Sequence, residues 1–227
     1  MAVPTNNAPS VKVLVTRPSH QAGNLCAELM AKGLHAIRYP TIEIRAVENV
    51  SHATAALQGI TDSDNIIFVS ANAVTQANRL LNKQWPVING TVVAIGPNTA
   101  NALLSIGLKP NITAQKPFNS EQLLEQLTRA GKTSIIKGEG GRDFLEKELV
   151  ARGIKVMTID VYKRAIPTNN PKLSDNAFHY TSITSQLALS NLFSLLPEQA
   201  SELKQTSTFV VFSQRIADVA KQLGCQN

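Results

Sequence analysis

Five times in this chain a short apolar run gives way to a loop of small polar residues and then to a helical pattern opening on Ala, Asn, Ser or Thr. The copies are VLVTRPSHQAGNL, IIFVSANAVTQA, VVAIGPNTANAL, IIKGEGGRDFLEKEL and FVVFSQRIADVAKQL. Runs such as Asn65-Ile-Ile-Phe-Val and Thr91-Val-Val-Ala-Ile are almost continuously apolar and β-branched, as strands buried on both faces must be. Strands of that kind alternating with helices leave few folds open, and all of them are α/β with parallel sheets. Each junction also aims unpaired backbone N–H groups and the positive end of a helix dipole past the strand end, a setting that suits carboxylate or phosphate.

The junctions belong to an internal duplication. One unit, A, is KVLVTRPSHQAGNLCAELMAKGLHAIRYP from Lys12, and it echoes in KTSIIKGEGGRDFLEKELVARGIKVMTID from Lys132. Leu25, Glu28, Leu29 and Gly33 then fall on Leu145, Glu148, Leu149 and Gly153. A second unit, B, is NIIFVSANAVTQANRLL with TVVAIGPNTANALLSIGL, echoed by FHYTSITSQLALSNLF with STFVVFSQRIADVAKQLG, so that Gly96, Ala100 and Gly107 fall on Ser213, Ala217 and Gly224. The order along the chain is A, B, A′, B′. Gly33, Gly107, Gly131 and Gly153 stand where helix C-termini need a left-handed residue, and Ser120 is expected to cap the helix in SEQLLEQL.

Two divisions of such a chain are possible. AB and A′B′ could be tandem domains, or B with A′ could be inserted into a domain made of A and B′. Two extended, proline-containing segments, Tyr39-Pro-Thr-Ile-Glu-Ile-Arg and Val161-Tyr-Lys-Arg-Ala-Ile-Pro, favour the second, because together they would carry the chain out and back. The expected boundaries are residues 1–38 with 166–227 for a discontinuous first domain, 45–160 for the inserted domain, and 39–44 and 161–165 for the connector strands. Unit B continues past Gly107 through KPNITAQKPFNSEQLLEQLTRAG, whereas B′ stops three residues after Gly224. The repeat therefore predicts a C-terminally truncated first domain, short by about 20 to 30 residues, with apolar surface left uncovered.

Composition narrows the function classes. A formal charge of +6 raises the prior for an anionic ligand, but aromatic residues are only 5% and basic runs are no denser than VYKR, which argues against nucleic acid. No apolar stretch approaches the ~20 residues of a membrane span, and MAVPTNNAPSVKV lacks the pattern of a signal peptide, so a cytoplasmic protein is expected. Cys26 and Cys225 have neither disulfide-framework nor metal-ligand spacing, and His20, His35, His52 and His179 are scattered, so no metal is implied.

Enzyme signatures are conspicuous by absence: there is no Walker A sequence, nucleophile elbow or His-Glu-x-x-His. Gly138, Gly140 and Gly141 do not complete a G-x-G-x-x-G, and no nucleotide cofactor is expected. They would let the backbone come close to a bound group, with Lys137 and Arg142 flanking them with charge. Ser70-Ala-Asn-Ala, Gly96-Pro-Asn-Thr99 and Ser213-Gln-Arg215 would supply N–H and hydroxyl donors in the same manner, though each alone is equally an N-cap. Tyr162 stands apart, on the expected connector. A phenol is a weak acid, suited to donating a hydrogen bond or proton to a departing hydroxyl.

The chain resembles the uroporphyrinogen-III synthase family from Val11 to about Gly224. The likeness rests on VLVTRP with Gln21-Ala and Gly33, Phe68-Val-Ser-Ala-Asn-Ala-Val, Ala94-Ile-Gly-Pro-Asn-Thr-Ala, Asn119-Ser-Glu-x-Leu-Leu, and Gly140-Gly-Arg leading to Val161-Tyr-x-Arg. The resemblance implies two similar parallel-sheet, flavodoxin-like domains, one inserted in the other, with a two-stranded connector and the active site between them. It implies a monomer acting, without cofactor, on hydroxymethylbilane, a linear tetrapyrrole with eight carboxylates. The implied reaction is loss of water from ring A to an azafulvene, attack from the substituted carbon of ring D, and reclosure of a spiro intermediate with ring D inverted. Tyr162 matches the position that assists hydroxyl departure. Ser70, Gly96, Thr99, Lys137 and Gly138 match carboxylate-holding loop positions, and Arg17, Ser182 and Ser213 match their counterparts in the other domain. A non-catalytic two-domain binding protein for a small polycarboxylate or phosphate is the competing expectation.

Overall fold

The computed structural model describes residues 11–127, 131–141, 143–173 and 177–227. Arg142, expected beside the glycine loop, lies outside them. The chain divides into two compact units, residues Met1–Glu43 with Ala165–Asn227, and Ile44–Arg164.

The first unit contains β1 (Lys12–Val15), α1 (Ser19–Ala31) and β2 (His35–Arg38) from the start of the chain. Its second contribution is β9 (Tyr180–Ile183), α7 (Gln186–Leu195), α8 (Ala200–Thr206), β10 (Thr208–Val211) and α9 (Gln214–Gln222). The four strands form one parallel sheet in the order β10-β9-β1-β2, with Val15 opposite Arg38 on one side and Ser182 on the other. Val13, Val15, Ala22, Cys26 and Ala36 form a core between this sheet and α1, with Leu25, Leu29 and Leu34 against it.

The second unit opens with β3 (Glu43–Arg45), which the chain reaches from the first, and continues through α2 (Val50–Gln58), β4 (Asn65–Phe68), α3 (Ala71–Leu80), β5 (Thr91–Ala94) and α4 (Pro97–Ser105). After these come β6 (Ile112–Thr113), α5 (Ser120–Gln126), β7 (Thr133–Gly138), α6 (Phe144–Ala151) and β8 (Val156–Ala165). The sheet order is β3-β8-β7-β4-β5-β6, and the pairs from β8 to β6 are parallel. All four residues of β4 are buried: the apolar Ile66, Ile67 and Phe68, and Asn65, whose amide donates to Thr133 Oγ1 at 3.3 Å. Phe68, Val74, Leu103, Ile136 and Tyr162 build a core on one face, while Val93, Leu123, Ile135, Leu145 and Leu149 build one on the other.

Mapping β1 on β7, β2 on β8, β9 on β4 and β10 on β5 gives the same neighbour order in both sheets. The repeat extends to backbone conformation. Gly33, Gly107, Gly153 and Gly224 each sit two residues beyond a helix and have φ of 79°, 82°, 75° and 90°. Gly131 is a correction: its φ is 159°, and a Cβ there would stand 2.3 Å from the Asp64 carboxylate, so close approach rather than a helix cap explains it. The cap of α5 is also one residue earlier than expected, with Asn119 Oδ1 accepting from the Gln122 N–H at 2.9 Å. Among the described residues, no helix is long and apolar enough to cross a membrane.

Candidate functional site

In a parallel sheet all strands point the same way, so their C-terminal ends and the loops that follow share one rim. In the second unit this rim carries Ser70 after β4, Gly96 after β5, Lys137 and Gly138 at the end of β7, and Tyr162 in β8. The register places Phe68 beside Ala94 and Ile136, Lys137 beside Asp160, and Gly138 beside Tyr162, with a shift in pairing between Lys137 and Gly138.

Tyr162 is the centre of this cluster. The segment expected as a connector strand, residues 161–165, is the second half of the continuous ten-residue β8, and Tyr162 is only 1% exposed. Its ring packs so closely on Gly138 that a Cβ at that position would lie 2.5 Å from two ring carbons. Its hydroxyl stands 3.2 Å from Ser70 Oγ and accepts from Arg164 Nη2 at 3.1 Å. Ser70 is the N-cap of α3, where its Oγ accepts from the Ala73 N–H at 3.0 Å. Tyr162 and Arg164 are two apart on a strand and so share a face, and the guanidinium lies 5.3 Å from the ring centroid.

A cleft of about 170 Å³ opens beside this cluster, lined among others by Ser120, Lys137, Gly138, Gly140, Gly141 and Arg164. Gly140 and Gly141 have φ of 66° and 96°, so the loop runs through left-handed backbone that side-chain-bearing residues avoid. The Lys137 ammonium is 3.8 Å from Asp143, a loose ion pair that keeps a positive charge on the cleft wall. Gly96 caps α4 in extended backbone, φ 173°, where a Cβ would stand 3.3 Å from the Phe118 Cβ. Thr99, expected at a loop position, lies in the first turn of α4 and is buried.

In the first unit, Arg17 and Ser182 come together and Ser213 stands apart. Arg17 and Ser182 line a groove of about 220 Å³ with Val13, Leu25, Leu29 and Phe212. The guanidinium lies 5.2 Å from the Phe212 ring, and Arg17 Nε and Ser182 Oγ are buried without a hydrogen-bond partner. Val210 and Phe212 are exposed beside them. Ser213 is exposed at the N-cap position of α9 and makes no capping bond through its side chain.

Ser182, expected at a loop position, lies inside β9, whose strand runs from Tyr180 through Ile183. The residue at the strand end is Ser185, whose Oγ accepts from the Ala188 N–H at 3.1 Å and caps α7. Ser185 therefore does for β9 and α7 what Ser70 does for β4 and α3, and the sequence signal was available in the paired spacings Ser70 to Ala73 and Ser185 to Ala188. Arg164 is the other residue that the sequence reading left without a role. Among the described residues, no group of three or more His, Cys, Asp or Glu is arranged to hold a metal ion.

Fold and rim together place the chain among α/β proteins that take ligands at the carboxyl ends of parallel strands. A family model described as Uroporphyrinogen-III synthase HemD matches residues 24–227, and the chain belongs to that family. It is 30% identical to the uroporphyrinogen-III synthase of Salmonella typhimurium, an alignment covering 96% of this chain and 93% of that protein. With the Escherichia coli uroporphyrinogen-III synthase the identity is 31% over the same shares. Among solved structures, a mutant uroporphyrinogen III synthase from the extremely thermophilic bacterium Thermus thermophilus superposes with a TM-score of 0.64 at 16% identity, covering 96% of this chain and 90% of that one. Uroporphyrinogen-III synthetase from Helicobacter pylori gives 0.62 at 14% identity, covering 94% and 89%. At those identities the structural likeness speaks for the fold.

Proposed function

We infer that this protein is a uroporphyrinogen-III synthase, which cyclises and dehydrates hydroxymethylbilane to uroporphyrinogen III with inversion of ring D. The family match over residues 24–227 carries this reading. The geometry of the second unit is in keeping with it: a phenol, a serine and an arginine hydrogen-bonded in series beside a cleft with Lys137 on its wall.

The substrate brings eight carboxylates, and the rims offer what anions need. Helix N-termini follow β4, β5, β9 and β10, and Lys137 and Arg17 stand at the ends of β7 and β1. A cleft of about 170 Å³ is smaller than the ~300–1,000 Å³ that a drug-sized ligand fills, so it takes a ring or a side arm rather than the whole bilane. Because hydroxymethylbilane also closes unaided to the type I isomer, the protein's task is mainly to hold ring D in the geometry for attack at its substituted carbon, and positioning contributes most of the effect. Tyr162 assists departure of the ring A hydroxyl.

In this reading each unit is a flavodoxin-like domain, Ile44–Arg164 is inserted into the other, and β3 with β8 carries the chain between them. The identical neighbour order of the two sheets supports it. The protein works as a cytoplasmic monomer, which light scattering tests against a mass of 24.5 kDa.

The decisive experiment incubates the protein with freshly made hydroxymethylbilane and separates the porphyrin isomers after oxidation. Type III product establishes the synthase. Type I alone, at the rate of the protein-free control, refutes it and leaves a binding protein for polycarboxylates.

A further inference from the structure

Arg164 is a cationic side chain joined to the one phenol that the proposed reaction uses, and hydrogen-bond accounting defines what it does there. The Tyr162 hydroxyl has one proton to give and two lone pairs, and a guanidinium only donates. Arg164 Nη2 therefore fills one lone pair at 3.1 Å. The other contact, with Ser70 Oγ at 3.2 Å, could run in either direction. If Ser70 donated, the phenol proton would be left unpaired on a side chain that is 1% exposed, which costs the full desolvation of a buried donor. If Tyr162 donates, Ser70 Oγ accepts from both the phenol and the Ala73 N–H, and its own proton is directed away from both, out of the half-buried rim. Accepting from a cation makes the phenol a stronger donor, in the same direction.

We propose that Arg164, Tyr162 and Ser70 form a directed hydrogen-bond relay ending at the Ser70 hydroxyl, with Arg164 as the residue that positions and polarises Tyr162. The proposal rests on the reading of Tyr162 given above. The C–O bond on ring A breaks with the electron pair of the pyrrole nitrogen, and the departing hydroxide takes the Ser70 proton to leave as water. Ser70 takes the phenol proton, and the phenolate stands against the Arg164 guanidinium. The proton released from the open carbon of ring D on final closure restores the phenol, so no external acid or base is consumed. The strand supports this assignment: Lys163, between the two residues, turns to the other face and pairs with Glu48 at 2.7 Å, while Arg164 donates through Nη2 to the Tyr162 hydroxyl and through Nη1 to the Glu139 carbonyl at 3.4 Å.

The test is a double-mutant cycle on type III formation with Tyr162→Phe, Arg164→Gln and the pair. Arg164→Gln is expected to lower kcat about 10-fold, with KM within about 3-fold, because the charge-assisted hydrogen bond to the phenol is lost while Lys137 and the helix N-termini of the rim remain to hold the carboxylates. In the Tyr162→Phe background the same change is expected to cost less than about 2-fold, since the group it acts through is already gone. Ser70→Ala should lower kcat as far as Tyr162→Phe does. Equal losses from Arg164→Gln in both backgrounds, or a rise in KM alone, would show that Arg164 holds substrate directly and would overturn the relay while leaving Tyr162 in place. An unchanged rate for Tyr162→Phe removes Tyr162, and the relay with it. Thermal melts accompany each variant, and Arg164→Lys replaces Arg164→Gln in the cycle if the latter fails to fold.

Discussion

Replacing Gly138 by alanine tests whether the Tyr162 ring is held as the structure shows. The new methyl carbon would stand 2.5 Å from Cε2 and Cζ and 2.9 Å from Cε1, whereas non-bonded carbons settle about 3.5–4.0 Å apart. The ring must retreat by about 1 Å. An exposed side chain would swing away at little cost, but this one is 1% exposed and belongs to the core that holds Phe68, Ile136 and Val161. Overpacking of this kind costs about 1–3 kcal/mol. A shift of about 1 Å also takes the hydroxyl beyond hydrogen-bonding reach of Ser70 and Arg164, now 3.2 and 3.1 Å away, at about 1 kcal/mol each. The sum, about 3–5 kcal/mol, corresponds to a fall in melting temperature of roughly 6–20 °C for a chain of this size. Calorimetry reads the first effect, and the rate of type III formation, expected to fall at least as far as for Tyr162→Phe, reads the second. Because the three closest contacts are all to the ring, Gly138→Ala combined with Tyr162→Leu should destabilise less than the sum of the two single changes. A Gly138→Ala protein that melts within about 1–2 °C of the parent, well inside the roughly 2–4 °C that one kcal/mol produces, and keeps its rate would refute the packing argument.

The other expectations are simpler to state. Tyr162→Phe should lower type III formation about 10²-fold with folding intact, the low end for general acid catalysis, and an unchanged rate removes the phenol from the mechanism. Ser185→Ala should cost about 1 kcal/mol in denaturant unfolding through loss of the α7 cap, and a variant as stable as the parent would show the cap to be idle. Stability should fall at alkaline pH. Burial pushes the Tyr39 phenol above its ordinary 10.0, against a smaller opposing effect of Asn170, and pushes the Cys225 thiol above 9.0, against the nearby Lys204 charge. A raised value in the folded state means that the contribution is complete below the ordinary value and is lost as pH rises through the folded one. Melting temperatures should therefore decline above about pH 9, and Tyr39→Phe with Cys225→Ala should flatten the decline; equal slopes would count against both groups.

What could be read from the residues alone was whatever the chain states locally or twice. The apolar runs of β4 and β5 announced strands because no polar residue interrupts them, and the glycines at 33, 107, 153 and 224 fell at repeated offsets because each ends a helix in the same left-handed turn. Ser182 was read as a loop position because a strand and a small polar loop can both be written Tyr-Thr-Ser-Ile, and only the pairing of Ile183 with Val211 shows that the strand runs on. Arg164 went unassigned for a different reason. Its meaning depends on Ser70, which lies 92 residues from Tyr162 and reaches it only across the strand-end rim that β4, β7 and β8 share. Local periodicity carries no information about which loop of a parallel sheet meets which.

That dependence also explains why a reaction controlled by positioning suits this architecture. A hydroxyl at a strand end is aimed by the backbone of its own junction, as Ser70 is aimed by the first turn of α3, and it needs no long side chain whose rotamers would have to be frozen. In the proposed relay Tyr162 supplies the proton without exposing a strong acid to a substrate that closes spontaneously once its hydroxyl leaves. A carboxylic acid at the same place would stand as an anion at neutral pH and repel the eight carboxylates it must work among. In that relay the phenol passes its proton through a serine, and the arginine beside it is itself attractive to the ligand. The chemistry thus calls for a weak, buried, donor-supported acid on a cationic rim, and β8 provides it by placing Tyr162 and Arg164 two residues apart on one face of the sheet.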